Sequence, residues 1–210
     1  MPSRTVLVPP ERLPGWLQRF AERHGETGVT TADRSHVLLT AADGATADLA
    51  VPFPPLPEAA ELDALIGHAT TDRTVAVVLV RRGGYGVGIF DGRELVASKV
   101  GSGYVQGRTK AGGWSQQRFA RRRANQAQAL WGDAADVAVR LLLPRRDDLD
   151  AIVTGGDQAG ITSVLADPRL ADLDALVSPV VLDVPDPRLV VLAATPDQFR
   201  AVRITLNDLA

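Results

Sequence analysis

The sequence has no cysteine, one methionine and only two lysines among its 210 residues. Without cysteine there can be no disulfides, thiolate zinc sites or iron–sulfur clusters. The composition fits a reducing, cytoplasmic setting. Histidine is also scarce: His24, His36 and His68 all precede residue 70, without metal-ligand spacing, so ordinary surface or core roles are expected of them. No metal or cofactor is expected. No apolar run reaches the ~18 residues that a membrane span needs. The opening Met-Pro-Ser-Arg-Thr lacks the charged and apolar regions of a signal peptide. No membrane partner is expected, and the chain is expected to be a monomer. Also missing are a Gly-x-Ser-x-Gly elbow, a Walker loop and a Gly-x-Gly-x-x-Gly run after a strand. The run Gly83-Gly84-Tyr85-Gly86-Val87-Gly88 lies between two strand-like segments and reads as a hairpin.

What is present is an ordinary globular composition, 45% hydrophobic and 23% charged, long enough for one large domain or two small ones with a real core. Basic residues are nearly all arginine, since only Lys99 and Lys110 are lysine; codon bias in a GC-rich genome accounts for this. Net charge is −2, which alone argues against a general nucleic-acid binder. The distribution points elsewhere. Between Glu94 and Asp133 stand Lys99, Arg108, Lys110, Arg118, Arg121, Arg122 and Arg123 with no acidic residue, leaving 16 basic and 25 acidic residues in the rest of the chain. A positive segment on an otherwise acidic protein presents one place to RNA; the plainer alternative is a solvated basic helix.

Residues 4–8 read as a strand, followed by an amphipathic helix to His24 with Trp16, Leu17 and Phe20 on one face and Gly25 as its cap. Extended runs are expected near 27–31, 35–41 and 46–51, the last two joined by Ala42-Asp43-Gly44. Pro52, Pro54, Pro55 and Pro57 predict a linker. Hence the expected division is 1–57, a small α+β N-terminal region with its Pro-rich linker, and 58–210, a larger domain. In the latter, a helix at 58–69 and a three-stranded meander at 75–80, 85–90 and 94–100 precede a long polar loop at 101–115, of a length that is usually functional or disordered. A helix from about Gln116 to Leu143 follows, then a strand at 150–154, a Gly155-Gly156 turn, a helix at 158–165 with Asp157 as N-cap, and strands at 180–184 and 189–193. Residues 196–210 stay ambiguous. Alternating strands and helices indicate an α/β domain.

The chemistry is expected in Gly107–Trp131. Ser115 is a good N-cap residue, with Trp114 and Phe119 spaced as a hydrophobic staple; Trp114 and Ser115 therefore either start the helix or touch RNA. Helical phase puts Arg118, Arg121, Arg122 and Asn125 on one face and Ala120, Ala124, Ala127 and Trp131 on the other. The arginine stripe suits phosphates, and the helix N-terminus adds free N–H groups. Gly112-Gly113 allows close backbone approach, ahead of the neutral amides Gln116 and Gln117.

Gly112-Gly113-x-Ser115 followed by Arg118-Phe119-Ala120-Arg121-x-Arg123 resembles the catalytic loop and helix in the middle domain of eukaryotic and archaeal class I release factors. The resemblance extends more loosely over residues 73–193. It is nearest to the actinobacterial Vms-like branch, whose loop carries Gly-Gly-Trp-Ser-Gln-Gln. It implies an RNase H-like α/β fold, a mixed sheet flanked by helices, and hydrolysis of the ester joining a peptide to the 3′ ribose of tRNA on the large ribosomal subunit. The implied catalytic set is Gln116 or Gln117 with Gly112 and Gly113. The implied RNA contacts are Arg108, Lys110, Trp114, Ser115, Arg118, Arg121, Arg122, Arg123 and Asn125. In the gap-free register the release-factor glutamine position holds Trp114; the Vms-like pattern moves the amide to Gln116, with Gln117 still open. A non-catalytic RNA- or ribosome-binding module, and an endonuclease that clips the tRNA end, are the alternatives.

Overall fold

The computed structural model describes residues 4–57, 61–103 and 114–210, and of these not the side chains of 31, 32, 114–120 and 123. It divides into two compact units, residues 1–71 with 196–210, and residues 72–195.

The first unit opens with β1 (Arg4–Val8), a 3-10 turn at Pro10–Arg12 and α1 (Leu13–His24). Gly25, at φ 85°, ends α1 in the left-handed region that glycine tolerates. Strands β2 (Thr27–Asp33), β3 (His36–Ala41) and β4 (Thr46–Ala50) follow, with the expected turn at residues 42–44 between β3 and β4. Helix α2 (Leu62–Thr70) closes this stretch. Alternation along β3 and β4 puts Val37, Leu39, Ala47 and Leu49 in a core with Leu13, Leu17 and Phe20 of α1.

The second unit begins with the meander β5 (Thr74–Arg81), β6 (Gly84–Asp91) and β7 (Glu94–Ser102). The long helix α3 (Trp114–Leu142) runs through Gly132 without a break and passes into a 3-10 segment at Leu143–Asp148. Strand β8 (Ala151–Gly156), helix α4 (Gln158–Leu165), a 3-10 segment at Pro168–Leu176, strand β9 (Val177–Leu182) and helix α5 (Leu189–Ala193) complete it. The sheet order is β7-β6-β5-β8-β9, with β5, β8 and β9 parallel and β6 antiparallel to β5. Helices α3 and α4 pack on it through Leu130, Ala134, Ala138, Leu142, Ile161 and Val164. This is the expected mixed, RNase H-like sheet flanked by helices; the first unit is α+β.

The chain then returns to the first unit through α6 (Pro196–Phe199) and β10 (Val202–Leu206). Strand β10 lies between β1 and β4 in an antiparallel sheet ordered β1-β10-β4-β3-β2.

Three expectations differ from this architecture. The compact units do not part after Pro57: α2 and residues 196–210 group with the first. Nor is the proline segment a free tether. Leu56 is fully buried, and the Arg34 guanidinium donates to the carbonyls of Leu56 at 2.5 Å and Pro57 at 2.7 Å. Finally, residues 189–193 form helix α5 rather than a strand. Short apolar runs do not separate the two by pattern alone, and the reason for helix lies on β6. Gly86 and Gly88 leave one face of β6 flat, so that a Cβ at Gly88 would sit 3.1 Å from Leu192 Cδ2. Tyr85, Val87 and Ile89, on the alternate face, join the core under α3. The glycine run is thus a hairpin strand with a helix seated on it.

At the end of β8, Gly156 has φ 102°, and a Cβ there would overlap the Val80 carbonyl oxygen. Gly156→Ala is expected to destabilise the second unit by about 2 kcal/mol or more through strain and overpacking. Faster amide hydrogen exchange in β5 and β8 would report it; unchanged exchange would contradict it.

Candidate functional site

Helix α3 has 29 residues, a length of about 44 Å at 1.5 Å per residue. Its buried positions Ala127, Leu130, Ala134, Ala135, Val137, Ala138 and Leu142 recur at helical spacing and face the sheet. Of the described side chains before Ala127, Arg121, Arg122, Ala124 and Asn125 are exposed and Gln126 is half-buried. The described side chains at 121, 122, 124 and 125 therefore stand outside the packed part of the helix. This explains why Ala124, placed on the packed face by phase alone, is exposed: helical phase predicts a direction, but there must be something in that direction to pack against.

Arg121, Arg122 and Asn125 share the exposed surface as expected. Gln116, Gln117, Trp114, Ser115, Arg118 and Arg123 lie on the α3 backbone, with side chains outside the described set. Gly112, Gly113, Arg108 and Lys110 lie outside the described residues altogether. Because the helix already includes Trp114, Ser115 sits inside its first turn rather than capping it. Helix ends shift by one or two residues with the criterion used.

The end of β7, next to the segment expected to carry the chemistry, is built from residues that the sequence did not single out. Gly103 donates to the Gly83 carbonyl at 3.2 Å, and a Cβ on Gly103 would lie 3.1 Å from Leu130 Cδ1 of α3. A Cβ on Gly101 would overlap the Tyr85 ring. The end of β7 is thereby held between Tyr85 and α3, and the glycines at 101 and 103 were the available signal. Burial, and next the charge of Asp133, push the Tyr85 hydroxyl above its ordinary pKa.

Asp157 occupies the N-cap position of α4 but does not cap it with its side chain. Its carboxylate accepts from the Arg82 backbone N–H at 3.0 Å and lies 3.7 Å from Arg81 Nε. It therefore ties the β5–β6 turn to the end of β8.

Farther along α3, Asp136 accepts from Arg169 at 2.7 Å, and the same guanidinium grips Asp167 at 2.7 Å. The Arg169 side-chain hydrogen bond, and then its backbone N–H, lower the Asp167 carboxyl from 3.8 to about 2. A lowered carboxyl contributes stability at pH above its unfolded value, and that contribution is lost as pH falls through the folded one. An NMR titration of Asp167 is expected to give a midpoint near 2, moving up toward the ordinary carboxylate range in Arg169→Ala. A midpoint that does not move would refute the pairing.

A family model described as "Actinobacteria/chloroflexi VLRF1 release factor" matches residues 73–205. That is more than half of the chain, and the chain belongs to this release factor family, which makes it a translation-related protein. The matched stretch contains every candidate residue named above. Among solved structures, the chain is similar to the "Vms1 mitochondrial localization core" (TM-score 0.51, 10% identity, covering 91% of this chain and 81% of that one). It is also similar to the archaeal translation termination factor aRF1 (TM-score 0.46, 14% identity), covering 94% of this chain but 66% of that one, slightly under two thirds of its length. No curated protein matches. At such identities the first likeness speaks for a shared fold.

Proposed function

We propose that the chain is a cytoplasmic, ribosome-associated peptidyl-tRNA hydrolase that releases nascent peptides from stalled large subunits. The observation that carries this reading is the exposure of Arg121, Arg122 and Asn125 on α3, ahead of its packed part, in a member of a release factor family. Gln116 lies 11 positions before Ala127, the first buried residue among the described side chains of α3, so at 1.5 Å per residue the two backbone positions are roughly 16 Å apart along the helix. Such an extension suits a glutamine that must reach into a narrow RNA-walled centre while the body of the protein stays outside.

The reaction is hydrolysis of an ester. Water attacks the carbonyl carbon, the bond to the 3′ ribose oxygen breaks, and the proton ends on the ribose hydroxyl. A neutral amide is a poor base, so the task of Gln116, or its neighbour Gln117, is to position the water and donate to the developing oxyanion. Gly112 and Gly113 let the backbone approach the ester. Arg108, Lys110, Arg118, Arg121, Arg122, Arg123 and Asn125 bind ribosomal RNA and tRNA phosphates, and Trp114 and Ser115 set the loop against the RNA. The chain needs no cofactor and acts as a monomer.

Trp114, standing where release factors carry glutamine, favours a second reading as a non-catalytic ribosome-binding module. Peptide release from stalled complexes by wild type, Gln116→Ala and Gln117→Ala separates the two, because a binding module tolerates both changes.

A further inference from the structure

The first unit carries a groove of about 550 Å³ beside α1 and β1, within the size range of small-ligand sites. Its wall on α1 follows from helical spacing: Trp16, Arg19, Phe20 and Arg23 fall at i, i+3, i+4 and i+7 and line it together. Arg4 joins from β1, where strand alternation puts it on the same side as Val6 and Val8, the side that packs under α1. Trp16 is half-buried and stacks on Phe20, with ring centroids 5.4 Å apart and planes at 17°. Phe20 in turn touches His24 at 4.8 Å, and His24 Nδ1 is fixed 2.8 Å from Asp43 Oδ2. The aromatic column is therefore rigid at its base and half-open at Trp16.

The side-chain charge of this groove opposes that of its unit. Residues 1–71 and 196–210 hold seven arginines against eleven acidic residues, yet the groove collects the side chains of Arg4, Arg19 and Arg23 against that of Glu22. Glu22 accepts from the Gln18 amide at 2.8 Å. Arg4, Arg19 and Arg23 are exposed, and among the described residues none has a carboxylate partner. Had folding stability been their purpose, these cations would be expected on the acids that outnumber them.

We propose that this groove binds single-stranded RNA, with a base on the Trp16 face and the flanking phosphates on Arg4, Arg19 and Arg23. An aromatic platform beside unpaired guanidiniums is the recurring chemistry of single-strand recognition. An acidic peptide would use the arginines but not the indole, and an anionic membrane would need neither a rigid column nor a groove. The site is independent of the chemistry assigned to Gln116 and would give the protein a second hold on RNA.

The test uses the full chain in an Arg121→Glu, Arg122→Glu background, so that failure here is distinct from failure of the α3 reading. Fluorescence anisotropy follows binding of a labelled eight-nucleotide single-stranded RNA. Adding Arg19→Gln with Arg23→Gln is expected to weaken binding at least tenfold and to flatten the log–log salt slope by about 1.4, at about 0.7 per phosphate lost. Both positions are exposed, so folding is preserved. Trp16→Leu, which keeps an apolar contact for Phe20, is expected to weaken binding about tenfold by loss of stacking. Three results would overturn the proposal: unchanged affinity in the double glutamine variant, AMP competing on equal terms with the oligonucleotide, or an aspartate-rich peptide or phosphatidylserine vesicle binding where RNA does not.

Discussion

Gln116→Ala is expected to lower peptide release from stalled large subunits at least about a hundredfold while ribosome binding stays within about twofold. The size follows from what an amide contributes. One preorganised donor aimed at a developing oxyanion is worth about 10²–10³ in rate, and a mispositioned water costs more. Binding should survive because the arginines of α3 lie on other side chains, at least two positions along the helix. Gln117→Ala is the internal control. Successive residues on a helix point about 100° apart, so only one of the two amides can face the ester. Loss of release in Gln117→Ala alone would move the catalytic role by one residue. Full activity in both would end the hydrolase reading and leave the binding module.

The second large effect is expected from reversing Arg121 and Arg122 to Glu. Both side chains are exposed, and neither has a carboxylate partner among the described residues, so the fold should be indifferent. Affinity for large subunits should fall at least tenfold at about 0.1 M salt, and wild-type affinity should itself fall steeply as salt rises, as counterion release requires. Release at saturating protein should change less than release at limiting protein, because the proposed role of these residues is to hold the RNA and not to touch the ester. Binding that ignores salt would contradict the role assigned to the stripe.

Much of the second unit was legible in the sequence because its elements are local. The meander is punctuated by Arg82-Gly83 and Asp91-Gly92, and α3 has an unbroken apolar period from Ala127 to Leu142. What was not legible depends on distant partners. Residues 196–210 read as ambiguous because β10 finds its neighbours, β1 and β4, more than 150 positions away. The prolines at 52–57 read as a linker because nothing nearby reveals that Arg34 will bind the Leu56 and Pro57 carbonyls. Residues 189–193 read as a strand because Leu-Val-Val-Leu-Ala favours one locally, whereas Gly86 and Gly88 supply a flat floor for a helix. Its exposed Leu189 and Val190, at 53% and 72%, are what a short helix with one anchoring side chain leaves outside.

The same division holds at the candidate site. Of the arginine stripe expected from spacing, Arg121, Arg122 and Asn125 are exposed, and the Arg118 side chain lies outside the described set. The packing at the end of β7 was not legible, since Tyr85 under Gly101 and Leu130 against Gly103 are meetings of β6 and α3 with residues 101–103 that no local pattern encodes. Ala124 marks the limit of the wheel: apolar and correctly phased, it lies outside because the helix has passed the end of its packed part.

The central claim is that this chain cleaves the peptidyl-tRNA ester. The most direct measurement is to add purified wild-type protein to stalled large-subunit complexes carrying a peptidyl-tRNA labelled in both halves, and to identify the products. The account predicts free peptide together with tRNA of full length and an intact 3′ end, at a rate that is negligible on peptidyl-tRNA free in solution. Peptide still attached to a tRNA fragment, or no release at all, would contradict it.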